Sequence, residues 1–419
     1  MIRITVVGVP EDGCMSLSSR AVSAVTQARV VAGHARHLDW FPQYQGAFLD
    51  MSQGFSSWLS QVIDESEEGG VVVLASGDPL FFGIGSTLLK KVASEELAFI
   101  PSSSSAQLAF SRLALPWSDA QFLSFHGREL QGVVSRLQQG DLFAILTDGK
   151  NTPQVIAQHL QTFNENHWQL SVCEQLGGSR EKITTLTVAE LASSTEPFDE
   201  LNILVAKRGE QTYWGGQGQF SDDESFAKRV PHKGLITKQS VRHLVLCQLR
   251  LNRHHVMWDI GAGSGSVAIE AAKQCWKKQV FAVECNSDCF DAIEDNLHVH
   301  GTDNLQLVKE KAPQALLELP SPNAVFVGGS RGEMENILSF VWHKLLPNGR
   351  LVVSAVTLDT VAEVYQWSKQ QKLNMDVQLV NISQTQPLAH YMRYQAENPI
   401  HLFTFTKPMS LEQSSATEN

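Results

Sequence analysis

The residues of this chain best placed to do chemistry lie in Val256 to Ile269, VMWDIGAGSGSVAI. Val256, Met257 and Trp258 read as the end of a buried parallel strand. Asp259 marks its carboxyl edge, where open α/β sheets take their ligands. Gly261, Gly263 and Gly265, with Ala262 and Ser264 between them, let the backbone turn sharply and approach a ligand closely, because no Cβ stands in the way. Ser264 or Ser266 is placed to cap a following helix, whose free N–H groups attract a carboxylate or phosphate. A dinucleotide fingerprint, G-x-G-x-x-G, would need glycine where Ser266 stands; the spacing here is G-x-G-x-G, which disfavours NAD. Charge sign discriminates further. A carboxylate at the strand end repels a pyrophosphate and favours the ammonium and sulfonium charges of S-adenosylmethionine. Val280 to Val283 is a second apolar strand ending in Glu284, an acid able to accept both hydroxyls of a ribose.

The rest of the sequence must position these groups, and 419 residues suffice for two or three domains with ordinary cores. Lysines and arginines number 33 against 44 acidic residues, a net charge of −11, and no basic run stands out, so no nucleic-acid partner is expected. The six cysteines are scattered without a C-x-x-C pair, which fits reduced thiols better than disulfides or zinc. His254-His255 and His298-x-His300 lack a neighbouring Cys or acid at a familiar ligand spacing, so no metal site is expected. No apolar run reaches the ~20 residues that span a bilayer. The opening MIRITVVGVPEDG enters a strand and an acidic turn directly, unlike a signal peptide, and the expectation is a cytoplasmic enzyme without a membrane partner.

A second ligand-type site is legible in the first half. Ile2 to Val7 reads as a β-branched strand running into Gly8-Val9-Pro10-Glu11-Asp12-Gly13, a turn dense in helix breakers. Val71 to Ala75 is a buried strand running into Ser76-Gly77-Asp78-Pro79, where Gly77 permits an unusual backbone angle and Pro79 suits the first turn of a helix. Further strands are expected at Val30 to Gly33, Phe122 to Phe125, Leu142 to Leu146, Ser171 to Glu174 and Ile203 to Ala206, with helices between them. His126, Gly127 and Arg128 form a polar cluster after one of these strands, and Arg128 suits a carboxylate. From Lys207 to Val230 the pattern lapses into glycine and polar residues, a linker by composition. Beyond it Thr237 is a natural N-cap for a helix over Lys238 to Leu251. Strands follow at Leu305 to Val308, Asn323 to Val327 and Gly349 to Ala355, with Ala312 where an adenine ring would lie. Two late stretches, Asp376 to Ile382 and Ile400 to Phe405, would close the sheet with an antiparallel edge. The tail 409–419 is polar and expected to be disordered.

VVGVPEDG (6–13), ASGDPLFFGIG (75–85), PSSSSAQLAFSRLALPWSDAQFLSFHGR (101–128) and NILV (202–205) resemble a tetrapyrrole methylase. ITKQSVR (236–242), WDIGAGSGSVAIE (258–270), NAVFVGGS (323–330) and NGRLVVSAVTLDT (348–360) follow in the second half. In this combination and order the chain resembles, over nearly its whole length, the precorrin-6Y C5,15-methyltransferase (decarboxylating) family of the fused CbiE–CbiT, or CobL, type. The resemblance implies an α/β chain: an N-terminal tetrapyrrole methylase (class III) domain at 1–208, a linker at 209–230, and a C-terminal Rossmann-like class I S-adenosylmethionine-dependent methyltransferase domain at 231–408. It implies one S-adenosylmethionine per domain and a place in cobalamin biosynthesis. Precorrin-6Y would be methylated at carbon 5 by the first half and at carbon 15 by the second, with decarboxylation of the ring-C acetate, giving precorrin-8X.

Carried over residue by residue, the family's cofactor positions fall on Thr237, the turn Gly261 to Gly265, Glu284 and Ala312 in the second half. In the first half they fall on the Gly8 loop and Gly77-Asp78-Pro79. One departure stands out: the family loop has a glycine two residues after the first, where this chain has Pro10, which lacks an N–H and fixes φ. No residue announces itself as a catalytic base; His126, Arg128 and Arg331 are candidates for a proton donor or a carboxylate holder. The resemblance also implies a homo-oligomer. The alternatives are a cobalt-precorrin substrate of the anaerobic route, or another small-molecule substrate. A nucleic-acid amine methyltransferase is disfavoured because Gly328-Gly329-Ser330 stands where an (N/D)PP(Y/F) turn would. A dehydrogenase predicts NADH binding, and a tetrapyrrole carrier predicts corrinoid binding without turnover.

Overall fold

Runs of β-branched and small apolar residues form the central strands, because such side chains pack well on a pleated surface buried on both faces. The computed structural model describes residues 2–228 and 236–409. These divide into two compact units, one holding residues up to Glu129 with Gly140–Ala157 and Trp168–Arg208, the other Leu130–Gln139, Gln158–His167 and the chain from Gly209 onward.

The first unit contains two five-stranded sheets. One is wholly parallel, in the order Ala47–Asp50, Val30–Gly33, Val71–Ser76, Ile4–Val9, Leu97–Ile100. Its centre is Ile4–Val9 beside Val71–Ser76, in register from Ile4 against Val71 to Val9 against Ser76. Two adjacent parallel strands therefore end together, and their following loops meet. The other sheet is mixed: Gln121–Ser124 runs parallel to Leu142–Leu146, and Asn202–Arg208, Trp168–Glu174 and Lys182–Thr187 continue it antiparallel. Pro79 does not open a helix as its sequence context predicts. Asp78 Oδ1 accepts the Leu80 N–H at 2.8 Å and closes a turn there, and the next helix, Gly85–Leu88, starts further on.

The second unit is built on a seven-stranded sheet whose strands, numbered along the unit, lie in the order 3-2-1-4-5-7-6. Met257–Ile260 is central, between Val280–Val283 and Ala324–Val327, all parallel. The two late stretches are strands, Asp376–Val380 and Ile400–Thr406, and they close the edge antiparallel as expected. Between them lies an exposed hairpin, Ser383–Leu388 with Tyr391–Ala396, that hydrophobic pattern does not announce. The core clusters Trp258, Ile260, Phe281, Val325, Val327, Leu351 and Phe405 with helix residues such as Ile337, Leu338 and Trp367. Segment 130–139 is tied into this unit by Asp303, whose carboxylate accepts the Val134 and Ser135 N–H groups at 2.9 and 3.0 Å.

Two local expectations need correction here. The helix expected from Lys238 runs Gln239–Leu249 with Lys238, not Thr237, at the cap position, and no cap side chain bonds to it. The stretch whose composition reads as a linker is packed over its described part: Trp214, Ser221 and Phe226 are buried. Polar and glycine-rich composition hides this, because the anchoring groups are few and widely spaced. Residues 229–235 and the tail from 410 lie outside the described residues.

Candidate functional site

The turn after Met257–Ile260 has the geometry its glycines predict. Gly261, Gly263 and Gly265 all have positive φ (76°, 60° and 76°), a region that L side chains rarely adopt. A Cβ on Gly261 would lie 2.8 Å from both the N and O of Gly329, so the first and fourth loops of the sheet touch through two glycines. Helix Ser266–Gln274 starts with Gly265 at its cap. Neither Ser264 nor Ser266 caps it, contrary to expectation, because Gly265 occupies the position in a left-handed conformation.

These loops enclose a cavity of about 390 Å³ at the carboxyl edge of the sheet, within the range of small-molecule sites. Gly261 to Ser264 form one wall, Glu284, Cys285 and Asn286 another, Lys311 and Ala312 a third, and Gly328 to Arg331 a fourth. Ile236, Thr237 and Lys238 complete the rim. Glu284 is buried and held firmly: Oε2 accepts the Gly263 N–H at 2.9 Å, and Oε1 accepts the Cys285 and Asn286 N–H groups at 2.9 and 2.8 Å. Carboxylate oxygens have further lone pairs, so these bonds leave Glu284 able to accept from a ligand. Ser264 Oγ is buried on the cavity wall without a hydrogen-bond partner.

Asp259, expected from the strand end to favour the donor's positive charges, is held by the fold itself. It does not line the cavity; Oδ2 accepts the Ala268 N–H at 3.0 Å, pinning the strand end to the first turn of the helix, and Oδ1 is buried without a partner. Burial pushes its carboxyl up to about 7, against the Ala268 hydrogen bond and with a further push from the charge of Glu284. Its charge would therefore reach the cavity through the turn.

Thr237, Gly261 to Ser264, Glu284 and Ala312 are thus brought around one cavity, and Arg331 joins them, exposed and at φ 48°. The sequence reading missed Lys238, Asn286, Ser330 and Ser354, which also line it. Asn286, two residues past Glu284, is the one with a local signal.

In the first unit the residues singled out by the sequence meet through backbone. Gly8, expected in a turn, lies within the strand Ile4–Val9, and a Cβ on it would lie 2.3 Å from Gly77 O and 2.8 Å from Ser102 N, so the end of this strand and the loops after its two neighbours close on one another at a residue with no side chain. Gly77, at φ 60°, donates its N–H to Val9 O at 2.8 Å. Asp78 spends one oxygen on the Leu80 N–H, and Pro10 accepts the Gly13 N–H through its carbonyl at 3.3 Å. Behind the loop, His37 Nε2 lies 3.3 Å from Ser76 Oγ, and Arg36 bonds both Ser76 Oγ and Glu11, each at 3.0 Å. Burial lowers His37 to about 4, helped by Arg36 and His34, so it is neutral at physiological pH. His126 and Arg128 are exposed on a turn of this unit, where Gly127 donates to Asp148 Oδ2 at 2.6 Å.

Among the described residues no helix is long and apolar enough to cross a membrane. The model of the tetrapyrrole (corrin/porphyrin) methylases matches residues 3–192, and that of the precorrin methyltransferase domain matches 228–407. The chain is 33% identical to a Sinorhizobium precorrin-6Y C(5,15)-methyltransferase [decarboxylating] over 96% of both chains. Two shorter relatives match less than half of it. One is a probable cobalt-precorrin-6B C(15)-methyltransferase (decarboxylating) of Methanothermobacter thermautotrophicus, 32% identical over 43% of this chain and 93% of its own. The other is a cobalt-precorrin-7 C(5)-methyltransferase of Salmonella typhimurium, 31% identical over 46% of this chain and 94% of its own. Two methylase models in series and full-length similarity to a fused enzyme place the chain in the precorrin-6Y C5,15-methyltransferase (decarboxylating) family.

Proposed function

We propose that the chain is an S-adenosylmethionine-dependent C-methyltransferase of cobalamin biosynthesis that methylates a precorrin at carbons 5 and 15 and removes carbon dioxide from its ring-C acetate. The observation that carries this reading is the cavity of the second unit, where a glycine-rich turn faces the buried acceptor Glu284. The cavity fits the cofactor on the structure's own terms. Gly261 to Ser264 line one wall of it, Ser264 Oγ is buried there without a partner, and Ala312 offers a small apolar wall. S-adenosylmethionine supplies, when bound, an electrophilic methyl group on a sulfonium. We assign Glu284 to the ribose hydroxyls, the Gly261 to Gly265 turn with Thr237 to the amino-acid end, and Ala312 to the adenine side.

The chemistry asks little beyond alignment. A reduced tetrapyrrole is an electron-rich carbon nucleophile, so a protein that orients it and excludes water supplies most of the help, and orientation alone is worth ~7–11 kcal/mol. In each methyl transfer the C–S bond breaks as the C–C bond forms. In decarboxylation the electron pair of the departing carboxylate enters the macrocycle's conjugated system, and a proton restores the carbon. Arg331, on the cavity wall, is assigned to a substrate carboxylate.

We assign carbon 15 and decarboxylation to a domain beginning after 230, and carbon 5 to the domain 1–208, using Gly8 and Gly77-Asp78-Pro79 for its own donor. The two shorter relatives, each named for a single methylation, support this split. Pro10 leaves the first loop without one N–H, so Gly77 and Ser102 carry more of that site. The substrate is cobalt-free in this reading, following the full-length relative's name, and the working form is a homo-oligomer. The test is incubation of the purified chain with a precorrin-6 pool and S-adenosylmethionine, read by mass. Gain of two methyl groups and loss of one carbon dioxide is the expected product. Gain of one methyl group, or gain only with a cobalt-loaded pool, would overturn the corresponding half of the assignment.

A further inference from the structure

The helix Gln239–Leu249 begins at the rim of the cavity, where Ile236, Thr237, Lys238 and Val241 face it. A helix start leaves several N–H groups without intrahelical acceptors, and the cap residue, Lys238, has no side-chain oxygen to offer. The acceptor comes instead from the segment whose composition reads as a linker. Asp223 Oδ1 accepts the Gln239 N–H at 3.0 Å and Arg242 Nη1 at 2.9 Å, and Oδ2 lies 3.7 Å from Lys238 Nζ. The Gln239 side-chain amide donates to Ser221 O and Asp222 Oδ1 at 3.3 and 3.1 Å.

Arg242 ties the same segment to the rim. It is fully buried, with Nε 2.8 Å from Glu270 Oε1, a pairing of charge whose angle is too poor for a hydrogen bond. Its Nη2 donates to Ser221 O at 2.6 Å, and its Nη1 donates to Thr237 O at 2.8 Å as well as to Asp223. Among the described residues, these bonds are what fix the Thr237 carbonyl, since 236–238 belong to no helix or strand. A buried guanidinium between two carboxylates holds one geometry, because losing either partner leaves charge uncompensated in a dry interior.

We propose that Asp223 is a positioning residue for the methyl donor: acting through Gln239 and Arg242, it sets the rim 236–238 and thereby the donor affinity of the second unit's cavity, without lining that cavity. The inference rests on the reading of the cavity as a donor site. Removing the carboxylate frees the rim while leaving every wall residue in place. The donor then loses a pre-set contact surface, and misplacements on that scale cost about tenfold or more.

The test is titration of the full chain with S-adenosylmethionine, joined to steady-state kinetics of carbon-15 methylation. Asp223→Ala is expected to raise the second-unit dissociation constant about tenfold and the donor KM with it, with kcat at saturating donor nearly unchanged. Asp223→Asn restores part of the affinity, because its amide oxygen still accepts the Gln239 N–H while the charge facing Arg242 is gone. Gln239→Pro deletes that N–H from the other side. Proline suits the first helical position, and Lys238, at φ −55° and ψ 144°, already has the conformation required before proline. It should weaken the donor as Asp223→Ala does, and it decides the matter if the alanine variant does not fold. A wild-type second site that survives these changes at full affinity, or a fall in kcat with donor KM unchanged, would overturn the inference alone. A wild-type chain with no donor site in the second unit would overturn the cavity reading and the inference together.

Discussion

The two candidate donor sites solve the same problem with different materials. In the second unit the turn is shaped by glycines, but a side chain, Glu284, organises it, by taking three backbone N–H groups and facing the cavity. Among the described residues of the first unit no acid gathers the loop in that way: Asp78 gives one oxygen to the Leu80 N–H, and Gly8, Gly77 and Ser102 meet backbone to backbone. A site built on a carboxylate tolerates small shifts in the loop and fails when the charge goes. One built on backbone contact tolerates changes of charge and fails when volume is added.

The comparison is easiest to break by volume. Gly8→Ala puts a methyl 2.3 Å from Gly77 O, a distance that real Cβ atoms essentially never show, with backbone rather than a mobile side chain as the neighbour. Carbon-5 methylation should fall by about a hundredfold or more, since even ~1 Å of misplacement costs that much. Carbon-15 methylation and decarboxylation should proceed, so the product mass should show one methyl group gained and one carbon dioxide lost. Equal loss of both methylations would show that the sites are not separable. Gly261→Ala is the mirror experiment, with both strain at φ 76° and a 2.8 Å clash against Gly329, and it should spare carbon 5.

Those two turns were unequally legible in the sequence. The strand, turn and helix around 256–269 are encoded locally, in an apolar run and glycines that permit positive φ, and the structure reproduces them. The tightness at Gly8 is a contact between the end of a strand and loops far from it in the chain, and only the strand order reveals it. The same distinction explains the misreadings. Thr237 looks like an N-cap because it is a small hydroxyl before a helix, but the acceptor arrives from Asp223, sixteen residues away from Gln239. Asp259 looks like a ligand group because it ends a strand, yet its oxygen is drawn to the Ala268 N–H across the turn. The hairpin 383–396 has no buried face, so no alternation of apolar residues could mark it.

Charge tests the other side of the comparison. Glu284→Gln keeps the shape but has one oxygen for three N–H donors, and its amide N–H groups meet donors where acceptors are needed. Losing charge-assisted bonds of ~1.5–3 kcal/mol should weaken the second donor site about 10- to 100-fold and leave the first unchanged. Titration resolving the two sites reads this directly; an unchanged second site would remove Glu284 from the ribose. Arg331→Ala should act on the substrate instead, raising the precorrin KM of carbon-15 methylation about three- to tenfold with donor affinity intact, as befits an exposed ion pair. A shift in the donor constant alone would reassign Arg331 to the cofactor.

The smallest effect separates the sites by proton rather than by ligand. Asp259 titrates near 7 in the folded unit because burial disfavours its charge, whereas in the unfolded chain it has an ordinary carboxylate value near 3.8. Its folded value is the raised one, so its contribution to stability is complete below the unfolded value and is lost as pH rises through about 7. Asp259→Asn retains an oxygen for the Ala268 N–H but cannot ionise, and should therefore melt close to the wild type below about pH 4 and increasingly above it as pH rises to 8, at roughly 2–4 °C per kcal/mol for a unit of this size. Saturating S-adenosylmethionine should narrow the gap at pH 8, because a nearby cation favours the ionised carboxyl of the wild type. His37, the buried titrating group beside Ser76 of the first unit, has the opposite sign: its folded value is lowered to about 4, so it destabilises the fold only where acid would charge it. A pH-independent gap between Asp259→Asn and wild type would show that the carboxyl beneath the second turn carries no proton near neutrality. The long-range charge that distinguishes that turn from the first would then be fixed rather than titratable.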